Sequence, residues 1–192
     1  MSPAVPPLPV GEAARAAAVR AVAHAAGIAT ASAWVMLVLG AASLAVSLTA
    51  PLSASFAISV AVLFHGWLER RLARHLVACD IRAPRKLALN QVALGIEIAA
   101  YAVWQAHVLG PEQIDLVVRR PIVARFLSAM DLALLEEVLR LLPAAVRVLY
   151  LVVGGAALVG CIATAAYYGS RVRCVRLSQS GVPPLPSPSV PS

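Results

Sequence analysis

Long apolar runs separated by short polar segments dominate the hydropathy pattern of this chain. Four runs have the length and composition of membrane spans, at residues 27–50, 51–68, 87–109 and 146–168. The first run carries no charge and is longer than the ~7–15 apolar residues of a secretory signal peptide, so we interpret it as a retained span. The pattern predicts an all-α integral membrane protein with four transmembrane helices.

The segments next to these runs also have helical patterns. Residues 11–26 are rich in alanine and predict a short basic helix before the first span. The helix of the second span is expected to continue past the membrane and to stop before Pro84. Residues 111–142 carry too many charges for a fifth span. Within them, residues 128–142 place leucines on one face and charges on the other. This predicts an amphipathic helix at the interface or over the bundle.

Both ends of the chain are rich in proline. Residues 1–10 and 179–192 each contain the sequence VPPLP and predict disordered tails around a membrane domain at 11–178. Two interpretations of the repeated sequence remain open. It is either a ligand for an aromatic groove or low-complexity tail composition.

Composition agrees with a membrane protein and argues against several other classes. The chain is 60% hydrophobic and 13% charged, whereas soluble domains are about 25% charged. The net charge of +7 does not indicate nucleic-acid binding, because the basic residues flank apolar runs and form no compact face with aromatics. Cys79, Cys161 and Cys174 have no CxxC spacing, so we expect no disulfide framework, metal or cofactor.

Basic residues are distributed unequally about the predicted spans. One side carries Arg15, Arg20, Arg70, Arg71, Arg74, Arg82, Arg85, Lys86, Arg171, Arg173 and Arg176. On the opposite side, the arginines of the segment between spans three and four are balanced by acids. The positive-inside rule therefore predicts a multi-pass protein of the plasma (inner) membrane with both termini in the cytoplasm. Residues 111–142 then lie outside it.

Glu97 is an ionisable residue near the middle of the third predicted span. Helical rise places it about 15 Å from the inner end of a core that is ~30 Å thick. Asn90, Tyr101 and Gln105 fall on the same side of the helix, and we expect this polar stripe to face protein.

The expected hydrogen-bond partners of Glu97, as a protonated acid, are the serines Ser43 and Ser59 of the neighbouring spans. His65 lies near the inner end of span two, at the depth of Asn90. We do not expect it to pair with Glu97, because the two differ in depth by roughly 10 Å. Two roles for Glu97 remain open: a neutral acid that ties helices together, and a site of proton or cation coupling.

Span four contains small residues that permit close helix packing. Ala156 and Gly160 have small-xxx-small spacing, and Gly155 lies on a neighbouring face. Packing within the bundle and packing between copies are both open.

Catalytic motifs are not apparent in the sequence. It contains no Walker loop, HExxH or GxSxG pattern, and we assign no catalytic residue. The favoured hypothesis is a small membrane scaffold or accessory subunit that binds another membrane protein. The alternative is a small oligomeric transporter or channel coupled to protons or cations through Glu97. The expected partners are the lipid bilayer and a membrane protein or further copies of the chain, but not nucleic acid.

Overall fold

The structure is a computed structural model that describes residues 10–48, 54–108, 110, 119, 125, 128 and 131–179. Within these residues the chain is helical between short turns and forms no strand. The helices are α1 (Val10–Ser47), α2 (Ala54–Val77), α3 (Ala83–Val108), α4 (Leu132–Ser170) and α5 (Val172–Gln179). The proline-rich tails and most of residues 111–130 lie outside the described part.

Three stretches are long and apolar enough to cross a membrane, namely Gly11–Ser47, Ala83–Val108 and Leu134–Gln179. The prediction of an all-helical chain is therefore confirmed for the described residues, three stretches of which have the length and composition of membrane spans. Helix α2 is not among the three, because the charged residues that follow Leu68 lower its hydropathy. A fourth span stays a prediction.

The long helices pack in chain order. Helix α1 packs along α2, α2 along α3 and α3 along α4, and α5 folds back against α1. Residues where α2 ends and α3 begins therefore lie at the same end of the bundle as the first half of α1 and the last turn of α4. We call this end the cap end.

Helix α1 is longer than the sequence pattern predicted. The expected short helix at 11–26 and the first span form one continuous helix that starts at Val10. Its buried positions are nearly all small, and Ala18, Ala25, Ala26, Ala29 and Ala33 are at most 5% exposed. Small side chains let helix backbones approach closely. This alanine seam packs α1 onto the rest of the bundle at the cap end.

The turn between α2 and α3 agrees with the sequence pattern. Helix α2 continues past Leu68, as expected, and ends at Val77, before Pro84. Cys79 adopts a left-handed conformation with φ 58°, and the Asp80 amide donates to the His75 carbonyl at 2.9 Å, the pattern of a Schellman stop. The Asp80 carboxylate then accepts from the Arg82 amide at 2.9 Å. Pro84 occupies the first turn of α3, where a missing N–H costs little.

Helix α4 corrects a second expectation. The predicted amphipathic helix at 128–142 and the span at 146–168 share one helix, which begins at Leu132 and passes through Pro143. Within the predicted apolar face, Leu135, Val138 and Leu142 are half-buried. This part of α4 is therefore continuous with the predicted span at 146–168 and is not a separate helix.

A tightly packed hydrophobic core lies at the cap end. We call it the cap core, and it comprises Val22, Ala25, Ala26, Ala29, Leu72, Ala73, Leu76, Ala83, Leu87, Tyr168 and Val175. These residues come from all five helices. Helix α5 is anchored here by a hydrogen bond of 2.7 Å from the Gln179 side chain to the Cys79 carbonyl.

Contacts between antiparallel helices show which residues lie at the same level. Ser43 of α1 faces Ser59 of α2 at 2.7 Å between hydroxyl oxygens, and the Trp34 ring faces the Arg70 guanidinium. On this register, Gly27 lies level with the end of α2 near Leu76. Gly27, where the predicted first span starts, therefore lies about eight residues, or ~12 Å, closer to the cap end than Leu68, where the predicted second span ends.

The same comparison aligns the third and fourth predicted spans. Gly154 of α4 lies against Ala102 of α3, and Gly95 of α3 lies against Cys161 of α4. On this register, the ends of residues 87–109 coincide with the ends of residues 146–168. Gly154 is the glycine of span four that permits this contact, whereas a side chain at Gly155 or Gly160 would meet open space.

Replacing Gly154 by Ala should destabilise the α3–α4 contact. A Cβ atom there would approach the Ala102 Cβ much more closely than van der Waals contact, and overpacking of this kind costs about 1–3 kcal/mol. Gly155→Ala is the matched control, because it adds the same atom on an open face. Unfolding of both variants in mixed micelles measures the difference. Equal stability of the two would contradict the assigned helix contact.

Candidate functional site

The side chains of His65 on α2 and Glu97 on α3 contact each other across the helix interface. His65 Nε2 lies 3.2 Å from Glu97 Oε2. The expectation that they would not pair was wrong, because it compared only the levels of the two residues along the helices. In a helix the Cα–Cβ bond leans toward the N-terminus. Since α2 and α3 are antiparallel, His65 and Glu97 lean toward each other and close the gap.

The surroundings of Glu97 also differ from those expected. Its side chain is 44% exposed, whereas that of His65 is 7% exposed. Ser43 and Ser59 hydrogen-bond to each other, and the Ser59 hydroxyl also donates to the Ser55 carbonyl at 2.7 Å. The predicted contact with Ser43 or Ser59 is therefore wrong, and Glu97 lies at the outer edge of the α2–α3 interface.

The other residues of the predicted polar stripe separate into two groups. Asn90 is buried beside His65. Tyr101 and Gln105 lie farther along α3, where the Gln105 amide donates to the Tyr101 hydroxyl at 2.9 Å and Ser55 contacts the same hydroxyl at 3.0 Å. The stripe thus links α3 to α2 at two levels, on either side of Glu97.

The Asn90 side chain determines the protonation of the His65 ring. Its amide nitrogen donates to the His65 carbonyl at 3.3 Å, which turns its oxygen toward His65 Nδ1 at 2.7 Å. That oxygen only accepts, so Nδ1 carries a proton. Nε2 and the Glu97 carboxyl group therefore hold one further proton between them when they hydrogen-bond, as an imidazolium–carboxylate pair or as a neutral pair.

Glu69 is a site residue that sequence reasoning missed. It is fully buried and accepts hydrogen bonds from the Gln91 amide at 2.8 Å and from the Tyr168 hydroxyl at 3.0 Å. In the sequence it begins a charged run, ERR, which is typical of a solvated loop. Two features of the sequence could have indicated this site. Glu69 lies one helical turn after His65 on the same helix face, and two consecutive amide residues, Asn90 and Gln91, occur on the next helix.

The Glu69 carboxyl lies just past the predicted second span, and its environment favours the neutral form. Burial raises its pKa above the ordinary value, and hydrogen bonds from Tyr168, Gln91 and Ser32 and the field of His65 partly oppose this shift. Because Ser32 belongs to α1, the carboxyl group interacts with all four long helices. Glu69 is therefore a structural junction as well as a titratable group.

Two grooves lie on either side of the His65–Glu97 pair. The first, of about 570 Å³, runs between α2 and α3 from His65 and Asn90 toward Arg71 and Lys86 at the cap end. We call it the His65 groove. The second, of about 430 Å³, surrounds Glu97 and has small residues along its walls. We call it the Glu97 groove. Its lining is Ala54, Ala57, Ile58, Ala61, Ala100, Tyr101 and Trp104.

Metal and thiol chemistry contribute no further site in the part of the chain that the structure describes. No three histidine, cysteine, aspartate or glutamate side chains come together there as metal ligands, and the three cysteines are free thiols. No protein-family model, curated protein or solved structure matches the chain. A functional interpretation therefore depends on the geometry of the His65–Glu97 pair and its grooves.

Removing the Glu69 carboxyl group should destabilise the whole bundle. Glu69→Ala leaves the Gln91 amide and the Tyr168 hydroxyl buried without their acceptor. The free energy of unfolding should fall by about 1–3 kcal/mol. Glu69→Gln, which retains an acceptor oxygen, should cost less. Glu12→Ala removes an exposed acid from α1 and is the control.

The pH dependence of unfolding gives a second readout for the same residue. A raised folded-state pKa stabilises the protein below the ordinary value of 4.5, and this stabilisation is lost as the pH rises through the folded-state pKa. The wild-type protein should show this loss and Glu69→Gln should not. Identical pH profiles, or Glu69→Ala as stable as Glu12→Ala, would contradict the assigned role.

Proposed function

We propose that this chain is a four-span protein of the plasma membrane with both termini in the cytoplasm. We further propose that it acts as an accessory subunit, binding a transmembrane helix of another membrane protein in the Glu97 groove. The observation that carries the proposal is the half-exposed Glu97 carboxyl group paired with a buried histidine.

The packing of α2 supports its assignment as a span. It lies between α1 and α3, both of which are long and apolar enough to cross a membrane. Its apolar residues 54–68 contact these neighbours through Ser59 on one side and Ser55 on the other. A helix that packs along two membrane spans lies at the same depth as they do. The apolar part of α2 is short because the charged residues that follow Leu68 belong to the cap end.

Three arginine–aromatic pairs support a membrane boundary at the cap end. Arg70 lies 4.4 Å from the centre of the Trp34 ring, and Arg171 lies 4.4 Å from that of Tyr167. Arg71 lies 5.7 Å from the Trp67 ring centre. Tryptophan and tyrosine concentrate at membrane interfaces, where arginine side chains reach water. This boundary starts the first span near Trp34 instead of Gly27, and it leaves most of the cap core on the cytoplasmic side.

Reporter fusions test the proposed topology. A reporter that is active only outside the cytoplasm should be silent when fused at Ser192 or within the turn after Val77, and active when inserted between Gln113 and Leu127. The excess of arginine at the cap end is the physical reason. Activity at Ser192 with silence at the inserted position would show that the orientation is the reverse of the proposed one. Equal activity at both positions would show that no span separates them.

The position of Glu97 in the third span requires a covering partner. It lies ~15 Å from the boundary at Leu87, near the middle of a ~30 Å apolar core. An ionisable side chain in contact with lipid at that depth costs about 2.5–3.5 kcal/mol on insertion scales. Ala57, Ala61 and Ala100 beside it let another helix approach closely, and polar groups of that helix can then bond the carboxyl oxygens.

Proton coupling is a second candidate function, which the His65–Glu97 pair favours. The pair carries one proton that can reside on either side chain, and His65 also lines the groove that leads toward the cap end. In this reading, further copies of the chain cover Glu97 and form an oligomeric transporter or channel. Protons would reach Glu97 from the cytoplasm by way of His65.

Photocrosslinking in native membranes tests which occupant covers Glu97. A photoreactive residue at Ala100, which lines the Glu97 groove, should capture a discrete partner. The same residue at Val159, which is 67% exposed on α4, should not. Glu97→Leu should weaken capture by up to about seventeenfold, because membrane hydrogen bonds of up to ~1.7 kcal/mol are lost. Glu97→Gln should retain it.

The mass of the captured species distinguishes the two candidate functions. A second protein supports the accessory subunit, whereas an adduct of twice the chain mass supports the oligomer. For the oligomer, Glu97→Gln should also abolish proton-driven activity while the assembly forms normally. Equal capture at Ala100 and Val159, independent of Glu97, would contradict both.

A further inference from the structure

A third groove lies at the cap end, between the beginning of α3 and the junction of α4 and α5. Its volume is about 530 Å³. Arg85 of α3 lines it from one side and Arg173 and Arg176 of α5 from the other, and its apolar lining includes Ala88, Leu89 and Val172. We call it the arginine groove.

The charge of the arginine groove is uncompensated in the described part of the chain. No acidic residue lines it, and its three arginines are exposed and form no ion pair with a described acid. Three like charges facing one groove repel each other. An anion in the groove would remove this repulsion.

A second basic surface adjoins the first. Leu89, which is 69% exposed, separates the arginine groove from the His65 groove, whose open end carries Arg71, His75 and Lys86 together with Asp80. The Asp80 carboxylate reduces the positive charge of the His65 groove. The arginine groove is therefore the stronger anion site of the two.

The level of the arginine groove matches the headgroup region of a bilayer. Arg85 precedes the start of the third span at Leu87, and Arg173 follows the Tyr167–Arg171 pair that supports the boundary. Leu89 lies four residues, or ~6 Å, farther along α3 toward the membrane than Arg85. The order from solvent to membrane is thus guanidinium groups first and apolar side chains next, which is the order of groups in a phospholipid.

We propose that the arginine groove binds an anionic phospholipid of the cytoplasmic leaflet. The phosphate lies among Arg85, Arg173 and Arg176, and an acyl chain follows Leu89 toward the bilayer. Arginine binds phosphate oxygens through paired N–H groups, and basic pockets between membrane helices on the cytoplasmic side bind acidic headgroups. The leaflet depends on the proposed topology, whereas the binding chemistry does not.

Lipid retention on the purified full-length protein tests this site. Native mass spectrometry from a non-ionic detergent should show one retained phosphatidylglycerol and much less phosphatidylcholine. The double variant Arg173→Gln/Arg176→Gln should weaken phosphatidylglycerol binding about thirtyfold. The control Arg20→Gln/Arg74→Gln removes the same charge from exposed positions outside both grooves and should bind normally.

Two further measurements distinguish a lipid phosphate from free phosphate and show whether the variants are folded. Inorganic phosphate should not displace the lipid, and Arg85→Gln, on a different helix, should weaken binding while helicity by circular dichroism is unchanged. Equal retention of the two lipids, displacement by inorganic phosphate, or equal loss in the control variant would each overturn the proposal. The assay has no sidedness, so its result is independent of the reporter fusions and of capture at Ala100.

Discussion

The arrangement of the bundle depends on the hydrogen bonds of the buried Glu69 carboxyl group. A buried carboxyl needs hydrogen-bond partners, and Glu69 finds them on every other long helix: Gln91 on α3, Tyr168 on α4 and Ser32 on α1. These contacts fix the relative levels of the helices at the cap end. His65 lies one turn before Glu69, and Asn90 adjoins Gln91. The same register therefore brings His65 against Asn90 and positions its free nitrogen for Glu97. The junction at Glu69 thus determines the geometry of the candidate site.

The level of Glu69 also organises the surfaces of the protein. The cap core packs on one side of it, with α5 folded against α1. The pairs of Trp34 with Arg70 and of Tyr167 with Arg171 lie at nearly the same level. In the proposed arrangement this level is the cytoplasmic boundary of the membrane. The arginine groove then opens to the headgroups and the Glu97 groove to the apolar interior. Two different occupants, a phospholipid and a protein helix, follow from the two depths.

Hydropathy and charge were sufficient to predict an all-helical chain with several helices long and apolar enough to cross a membrane, since long apolar runs carry that information. They do not determine where the first span begins, because alanine is frequent along the whole of α1. The proposed boundary near Trp34 therefore depends on the arginine–aromatic pairs. Glu69 was missed because an acid beside two arginines resembles a solvated charge. The pairing of His65 with Glu97 was missed because a depth taken from residue number ignores the direction in which side chains lean.

The position of the membrane boundary along α1 is the most direct test of a boundary at the level of Glu69. Gly27 and Val38 both belong to the first apolar run of the sequence, and both are exposed on the bundle surface. Spin labels attached at these positions, in a protein whose three native cysteines are replaced, report collisions with a water-soluble relaxation agent and with oxygen dissolved in the bilayer. If the boundary lies at the level of Trp34, the label at position 27 collides with the water-soluble agent, while the label at position 38 collides with oxygen. Strong oxygen collisions at both positions would place Gly27 inside the bilayer and contradict a boundary at the level of Glu69.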